Sequence, residues 1–401
     1  MLKSQLKKLP IFTLLVFNLC LVLFGQDTPD KNSNPATTTT TVPNEVKMTV
    51  GEFRKSDLKV NPQILAIMTK AQDLISEHKY TEAITQYDKI IAAKAATKDV
   101  YNNLGFCYEK LNNLRMALQS YDSSVKLAPN NDIAYTNRGL AYAQTGNFDA
   151  ALADYNKAIE IAPKESTHYN NRADLYSRIG NLDKALEDQN KALSISPKKA
   201  FFLSNRGMTY FKRGLIDKAI EDFDEAVKNE PDFAAAYSNR GHALTKQKMY
   251  DKALEDFNRA IELDSNLAVA YGGRADVFRL TEKYDSAVEN YNKGLTLLPD
   301  NVLMLYNRGV TFYRLQKDAQ ALDDFNKVAE KNPNEATIYS NRALVYFRMG
   351  KSNEALADLS KAIELNPKLG IAYRNRAAIY QQLGQEKKAQ SDLEMAQKLG
   401  L

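Results

Sequence analysis

The chain has 401 residues, of which 44% are hydrophobic and 26% charged, with Lys+Arg 54 against Asp+Glu 49 and a formal net charge of +5. These values exclude a chain disordered throughout, a collagen-like chain and a multi-span membrane protein, and the near-neutral balance lacks the basic footprint of a nucleic-acid binder. Length alone suggests about two or three domains, but the prolines argue otherwise: seven of the 12, Pro129, Pro163, Pro197, Pro231, Pro299, Pro333 and Pro367, are spaced by 34 or 68 residues, the mark of a repeat array.

Residues 1–25 read as an export signal. Lys3, Lys7 and Lys8 form a positive start, Ile11 to Phe24 is almost wholly apolar, and Gly25 is small enough for a cleavage site. The apolar stretch is shorter than the roughly 20 residues of a membrane span, so cleavage is expected, with a retained anchor as the alternative. Cys20 follows Phe17-Asn18-Leu19, which lacks the small residue expected before an acylated cysteine. The reading predicts an exported protein, periplasmic or otherwise of the cell envelope or secreted, touching a membrane only through its N-terminus if that is uncleaved. Residues 26–62 form a Thr/Pro/Asn-rich linker with too little apolar surface to offset its ordering entropy. Once the signal is removed, Cys107 is the one remaining cysteine. It lies among apolar helix positions, which suits a buried small hydrophobe better than a reactive thiol.

Residues 64–401 hold ten 34-residue repeats in unbroken register, starting at Ile64, Lys98, Asp132, Ser166, Ala200, Ala234, Ala268, Val302, Ala336 and Gly370. Position 20 is Ala in all ten, position 8 is Gly or Ala, and position 24 is usually Tyr or Phe. Positions 4, 7, 8 and 11 share one helical face, as do 20, 24 and 27. Polar or Gly residues at 14–17 break the chain, an Asp at 18 (Asp149, Asp183, Asp217, Asp251, Asp285) starts a second helix, and the proline at 32 ends it. Each repeat is therefore an antiparallel helix pair that needs stacked neighbours to bury its faces.

Tyr101-x-x-Leu104-Gly105-x-x-Tyr108, followed by Ala117, Tyr121 and Pro129, resembles the tetratricopeptide repeat (TPR) motif. The resemblance implies an all-α, right-handed superhelical solenoid of ten helix-turn-helix repeats. Its concave surface, lined by the first helix of each repeat, would receive a peptide or another protein.

Position 7 departs from that family's usual apolar residue. It is Arg in eight repeats: Arg138, Arg172, Arg206, Arg240, Arg274, Arg308, Arg342 and Arg376. Seven of those repeats carry Asp at position 23 (Asp154, Asp188, Asp222, Asp256, Asp324, Asp358, Asp392), and the eighth carries Asn290. The two repeats without Arg have no Asp there. A cation near a helix interface needs a carboxylate, so structural ion pairs are expected in preference to an anion-binding arginine row.

Position 6 is Asn103, Asn137, Asn171, Asn205, Asn239, Asn307, Asn341 and Asn375. The resemblance places it in the groove, where an amide can meet a peptide bond through both N–H and C=O. The row is similar to the asparagine ladder in the TPR half of the O-linked N-acetylglucosamine transferases; the alternative is that these amides only orient neighbouring groups. Position 13 is basic in six repeats (Lys110, Arg178, Lys212, Lys246, Arg314, Arg348), and positions 9 and 12 include Phe106, Leu140, Met208, Phe211, Tyr313, Leu344 and Phe347. An apolar floor, amide rungs and a basic edge suit an extended, partly hydrophobic, mildly acidic segment. The basic edge also suits helix C-termini electrostatically. No Lys stands at positions 2 or 5 and no Asn at 9, so the carboxylate clamp of TPR co-chaperones is missing.

The three histidines, His78, His168 and His242, fall in different repeats, and only His242, at position 9, is expected to face the groove. No nucleophile motif, phosphate loop or metal spacing is present. The expectation is an interaction scaffold rather than an enzyme, with no cofactor, small-molecule substrate or nucleic acid. Two alternatives stand beside it: a cell-envelope assembly scaffold acting through its convex face or open C-terminal end, and the regulatory subunit of a split enzyme. At that end Lys387, Lys388, Asp392, Glu394 and Lys398 can solubilise the last helix.

Overall fold

The computed structural model describes residues 62–401, so the signal and most of the linker lie outside the described residues. Twenty helices follow in ten pairs: α1 (Pro62–Ser76) with α2 (Tyr80–Ala92), α3 (Lys98–Lys110) with α4 (Leu114–Leu127), α5 (Asp132–Gln144) with α6 (Phe148–Ile161), α7 (Ser166–Arg178) with α8 (Leu182–Ile195), and α9 (Ala200–Lys212) with α10 (Ile216–Asn229). The pairs continue with α11 (Ala234–Lys246) and α12 (Tyr250–Leu263), α13 (Ala268–Leu280) and α14 (Tyr284–Leu297), α15 (Val302–Arg314) and α16 (Asp318–Lys331), α17 (Ala336–Arg348) and α18 (Ser352–Leu365), and α19 (Gly370–Gln382) and α20 (Glu386–Lys398). The chain is thus an all-α solenoid, with two compact units that divide between Ala236 and Tyr237.

Within each unit every pair is built alike. The first helix ends at position 13, and position 15 takes a left-handed backbone in all ten repeats. Five of these residues are Gly (Gly146, Gly180, Gly214, Gly350, Gly384); the other five, His78, Asn112, Lys248, Glu282 and Gln316, have φ of 57–61°. An L side chain is disfavoured in that region. The amide at position 16 then donates to the carbonyl at position 11, as in Asn147 to Tyr142 at 2.9 Å, closing a Schellman turn.

Position 16 is the N-cap of the second helix, so Asp at 18 is its second residue rather than its start. Asn113, Asn147 and Asn181 cap with their side chains, accepting from the amides of Met116, Ala150 and Lys184. From α4 onward the second helices end at position 30, α20 excepted, and proline at 32 lies just beyond. In the repeat where Ser265 stands for proline, the Asp264 side chain accepts from the Asn266 amide at 2.9 Å and holds the turn.

The core follows position 20, whose alanines are at most 1% exposed. Their small size lets the paired helices close up. Aromatic rings at position 24 (Tyr121, Tyr155, Phe223, Phe257, Phe325) fill the space beside the glycine at position 8. Cys107 is fully buried, and that burial pushes its thiol up to about 12.

Candidate functional site

Two polar rows run along the helix pairs. In the first, Arg138 donates from Nε to Asp154 Oδ2 at 2.8 Å and from Nη2 to Oδ1 at 2.7 Å. The same two-pronged pairing joins Arg172 to Asp188, Arg206 to Asp222, Arg240 to Asp256, Arg308 to Asp324, Arg342 to Asp358 and Arg376 to Asp392. Hydrogen bonding to Asp154 holds the Arg138 guanidinium above its ordinary range, which keeps it a cation at any working pH. Arg274 has two amide partners, Asn290 and Asn258, each at 2.7 Å, and burial lowers its guanidinium instead.

The third prong was not anticipated. Nη1 reaches back to position 25 of the preceding repeat: Arg138 to Asp122, Arg172 to Asn156, Arg206 to Asn190, Arg308 to Asn292, Arg342 to Asn326, and Arg376 to Ser360. One guanidinium therefore ties a first helix to its own second helix and to the second helix before it. A short Asp, Asn or Ser at position 25 of every repeat that precedes an arginine is the sequence signal for this clamp. Rings at positions 4 and 11 stack on the same cation; Tyr339 and Tyr346 lie 5.3 and 5.7 Å from Arg342.

The asparagine row lies beneath the first-helix face rather than on it. Asn103, Asn137, Asn171, Asn239, Asn307, Asn341 and Asn375 are at most 9% exposed, and Asn205 is half-buried. Close stacking of first helices encloses the amides, and several bridge to the preceding first helix: Asn137 Nδ2 to Asn102 Oδ1 at 3.0 Å, Asn205 Nδ2 to Asn170 Oδ1 at 3.1 Å, Asn307 Nδ2 to Asp276 Oδ1 at 2.8 Å, and Asn341 to the Tyr306 hydroxyl.

Asn171 differs: neither its Nδ2 nor its Oδ1 has a partner among the described residues. The residue at the bridging position before it, Thr136, is instead bonded to His168 Nδ1 at 2.8 Å and to the Asp132 carbonyl. His168 in turn contacts Asp132 at 2.8 Å, and this bond holds the Asp132 carboxyl below its ordinary range.

Position 13 forms the lip of the first-helix face. Lys110, Arg178, Lys246 and Arg314 are exposed and Lys212 is half-buried. None of these five has a carboxylate at ion-pair distance among the described residues. Lys110 lies over the Phe106 ring at 5.1 Å, and Lys212 donates to Ser177 Oγ at 3.1 Å. Burial lowers the Lys212 ammonium. Arg348 is the exception, paired with Asp318 and stacked on Tyr313.

The expected apolar floor is mostly internal. Phe106, Leu140, Met208, Tyr313, Leu344 and Phe347 are at most 8% exposed, because positions 9 and 12 fill the gap between adjacent first helices. Only Phe211 of that set is half-buried. The accessible apolar groups stand instead at position 2: Ile133 in the 62–236 unit, and Val269, Leu303 and Ile371 in the 237–401 unit, all half-buried. They were not anticipated; the recurrence of an apolar residue at position 2 of these four repeats is the signal that could have found them. His242 is half-buried with its ring 5.0 Å from Phe257. Its Nε2 is enclosed without a partner, and burial lowers its pKa.

Sequence models of the tetratricopeptide repeat match residues 99–131, 234–267 and 336–369, residues 130–198, and residues 304–335. A TPR repeat model matches 207–248 and 275–316. No curated protein sequence matches the chain. Among solved structures the chain is similar to a tetratricopeptide repeat protein from Parabacteroides merdae, at 21% identity over 65% of this chain and 99% of that one, with a TM-score of 0.48. It is also similar to YrrB, a TPR protein with an unusual peptide-binding site, at 22% identity over 47% of this chain and 97% of that one, with a TM-score of 0.36. A third is Cut9 with Hcn1, an APC/C hetero-tetramer, at 13% identity over 85% of this chain and 94% of that one, with a TM-score of 0.48.

Proposed function

The chain belongs to the tetratricopeptide repeat family, and we propose that its first-helix face binds an extended, mildly acidic, partly apolar segment of a partner protein. Repeats of this family generally serve as protein–protein interaction scaffolds, typically without catalytic activity. The observation that carries the finer reading is the contrast between the two basic rows. Seven arginines at position 7 are paired with aspartates, whereas Lys110, Arg178, Lys212, Lys246 and Arg314 stand along the lip with no carboxylate at ion-pair distance among the described residues, Asp174 acting on Lys212 and Glu109 on Lys110 only from further off.

Cations without a direct ion-pair partner beside half-buried apolar side chains favour a ligand that supplies carboxylates and hydrophobic groups together. In the 62–236 unit Phe211 and Ile133 take the side chains, and Lys110, Arg178 and Lys212 take the acids. Asn171, whose amide has both a donor and an acceptor unmet, is the asparagine suited to grip a peptide bond once the side chains that cover it move aside. The other asparagines of the row serve first as ties between helices. The exported, cell-envelope setting belongs to the same proposal and rests on residues 1–25.

The test is a peptide selected from a display library against the full chain, followed by affinity measurements on variants. Lys110→Gln, Arg178→Gln and Lys212→Gln together are expected to weaken the peptide by on the order of a hundredfold and to flatten its salt dependence. Asn171→Ala alone is expected to weaken it about tenfold, the worth of two hydrogen bonds. Unchanged affinity in both variants contradicts the proposal and favours a scaffold that meets partners through its second helices.

A further inference from the structure

At the edge where first helices turn into second helices, three of the five second helices of the 62–236 unit are capped by asparagine, Lys79 and Leu215 being the uncapped ones, whereas none of the five in the 237–401 unit is capped by a side chain. The N-caps of α4, α6 and α8 are asparagines that accept from the helix amides. The N-caps of α12, α14, α16, α18 and α20 are Met249, Lys283, Lys317, Lys351 and Gln385, and none accepts such a bond. The backbone is not the cause: Lys283 has φ −82° and ψ 63°, against −85° and 73° at Asn181. An asparagine fits there without rearrangement, while a cation at a helix N-terminus opposes the dipole. Lys248 repeats the conflict one position earlier, holding a left-handed φ of 61° where half of the repeats have glycine. Each repeat from the sixth to the ninth thus presents one lysine at position 15 or 16, each at a local cost.

Beside these lysines stand apolar side chains. Met249, Leu280, Met349 and Leu383 are 37–43% exposed on four of the five turns. The turns 246–252, 280–286, 314–320, 348–354 and 382–388 hold ten Lys and Arg against six Asp and Glu. The opposite turns of the same unit, 262–268, 296–302, 330–336 and 364–370, hold two against six. The cations are not all free: Arg348 pairs with Asp318, and Lys317 lies 3.5 Å from the exposed Asp285. The balance still makes one edge basic and the other acidic.

We propose that this edge docks on an anionic phospholipid surface. Lysines placed at a local cost in stability on successive turns supply the charge that lipid phosphates attract, and Met and Leu beside them are suited to enter the headgroup layer. The cations and apolar tips are spread over five successive turns, an arrangement suited to many lipid headgroups at once; an acidic protein is the other outcome of the test. Lys246 and Arg314 belong to both the lip row and this edge, but the variants that test the two proposals share no residue, so either proposal can fail without the other.

The test is hydrogen–deuterium exchange on the full chain with phosphatidylglycerol-containing vesicles, read at the turns so that any contribution of residues 1–25 is kept apart. Protection is expected at 246–252, 280–286, 314–320, 348–354 and 382–388, with none on pure phosphatidylcholine vesicles. Lys283→Asn, Lys317→Asn and Lys351→Asn together are expected to raise the melting temperature while weakening vesicle affinity by on the order of a hundredfold. A purely structural role for the lysines cannot produce that opposite movement. Met249→Ser with Met349→Ser and Leu383→Ser is expected to lower affinity while keeping its salt dependence. Turns that exchange equally with and without anionic vesicles overturn the proposal. So does protection by polyglutamate in the absence of any by vesicles, which would assign the edge to an acidic protein.

Discussion

Replacing Asp324 by Ala is expected to destabilise the 237–401 unit by about 3–5 kcal/mol, the cost of stranding a guanidinium near a helix interface without its carboxylate. Asp324 is the most enclosed aspartate of its row, with its side chain 1% exposed, and Arg308 is only 17% exposed. The loss is expected to exceed that from Asn292→Ala, because Nη1 of Arg308 points to the more open side and water can replace that amide. Arg308→Ala with Asp324→Ala should cost less than the two single changes summed, since the double variant leaves no unpaired charge. Chemical denaturation of the four variants measures all three quantities. Equal losses from Asn292 and Asp324 would show that the link between repeats, and not the ion pair, carries the stability.

Gly207→Ala is expected to cost about 1–3 kcal/mol through overpacking, a large effect for one methyl group. A Cβ there would lie 2.6 Å from the Phe223 ring, which is itself fully buried. Phe223→Leu alone is expected to cost about 1–3 kcal/mol through lost packing. The pair Gly207→Ala with Phe223→Leu should recover part of both losses. The chain already contains the Ala–Leu combination, Ala343 with Leu359 in the ninth repeat and Ala377 with Leu393 in the tenth, and each glycine at position 8 goes with Tyr or Phe at position 24; Ala71 with Tyr87 and Ala275 with Tyr291 show that an alanine can also stand beside a ring when the local packing is set for it. Additive losses in the double variant would show that the two positions do not share one space.

The repeat register, the helix pairs and the Arg–Asp partnership were legible because each rests on a spacing. Position 20 must be small in every repeat, and Arg at 7 never stands without Asp or Asn at 23. Other features depend on three-dimensional closeness that one repeat does not display. The link from Arg138 to Asp122 joins different repeats, so a search within each repeat passes over position 25. The enclosure of the asparagine row depends on how tightly successive first helices stack. The left-handed residue at position 15 was half hidden, because Gly146 and Gly180 announce it while Glu282 and Gln316 do not. The unmet amide of Asn171 arises from Thr136 turning to His168, an exchange of partners that composition cannot register.

Partner polypeptide is expected on the first-helix face. A benzophenone side chain placed at Phe211 on that face, and in a separate variant at Glu187 on the exposed side of a second helix, tests it directly against the selected acidic-apolar peptide. Cross-linking is expected from Phe211, competed by unlabelled peptide, and none from Glu187. Cross-linking from Glu187, with Phe211 silent, would contradict it and place the partner on the second helices.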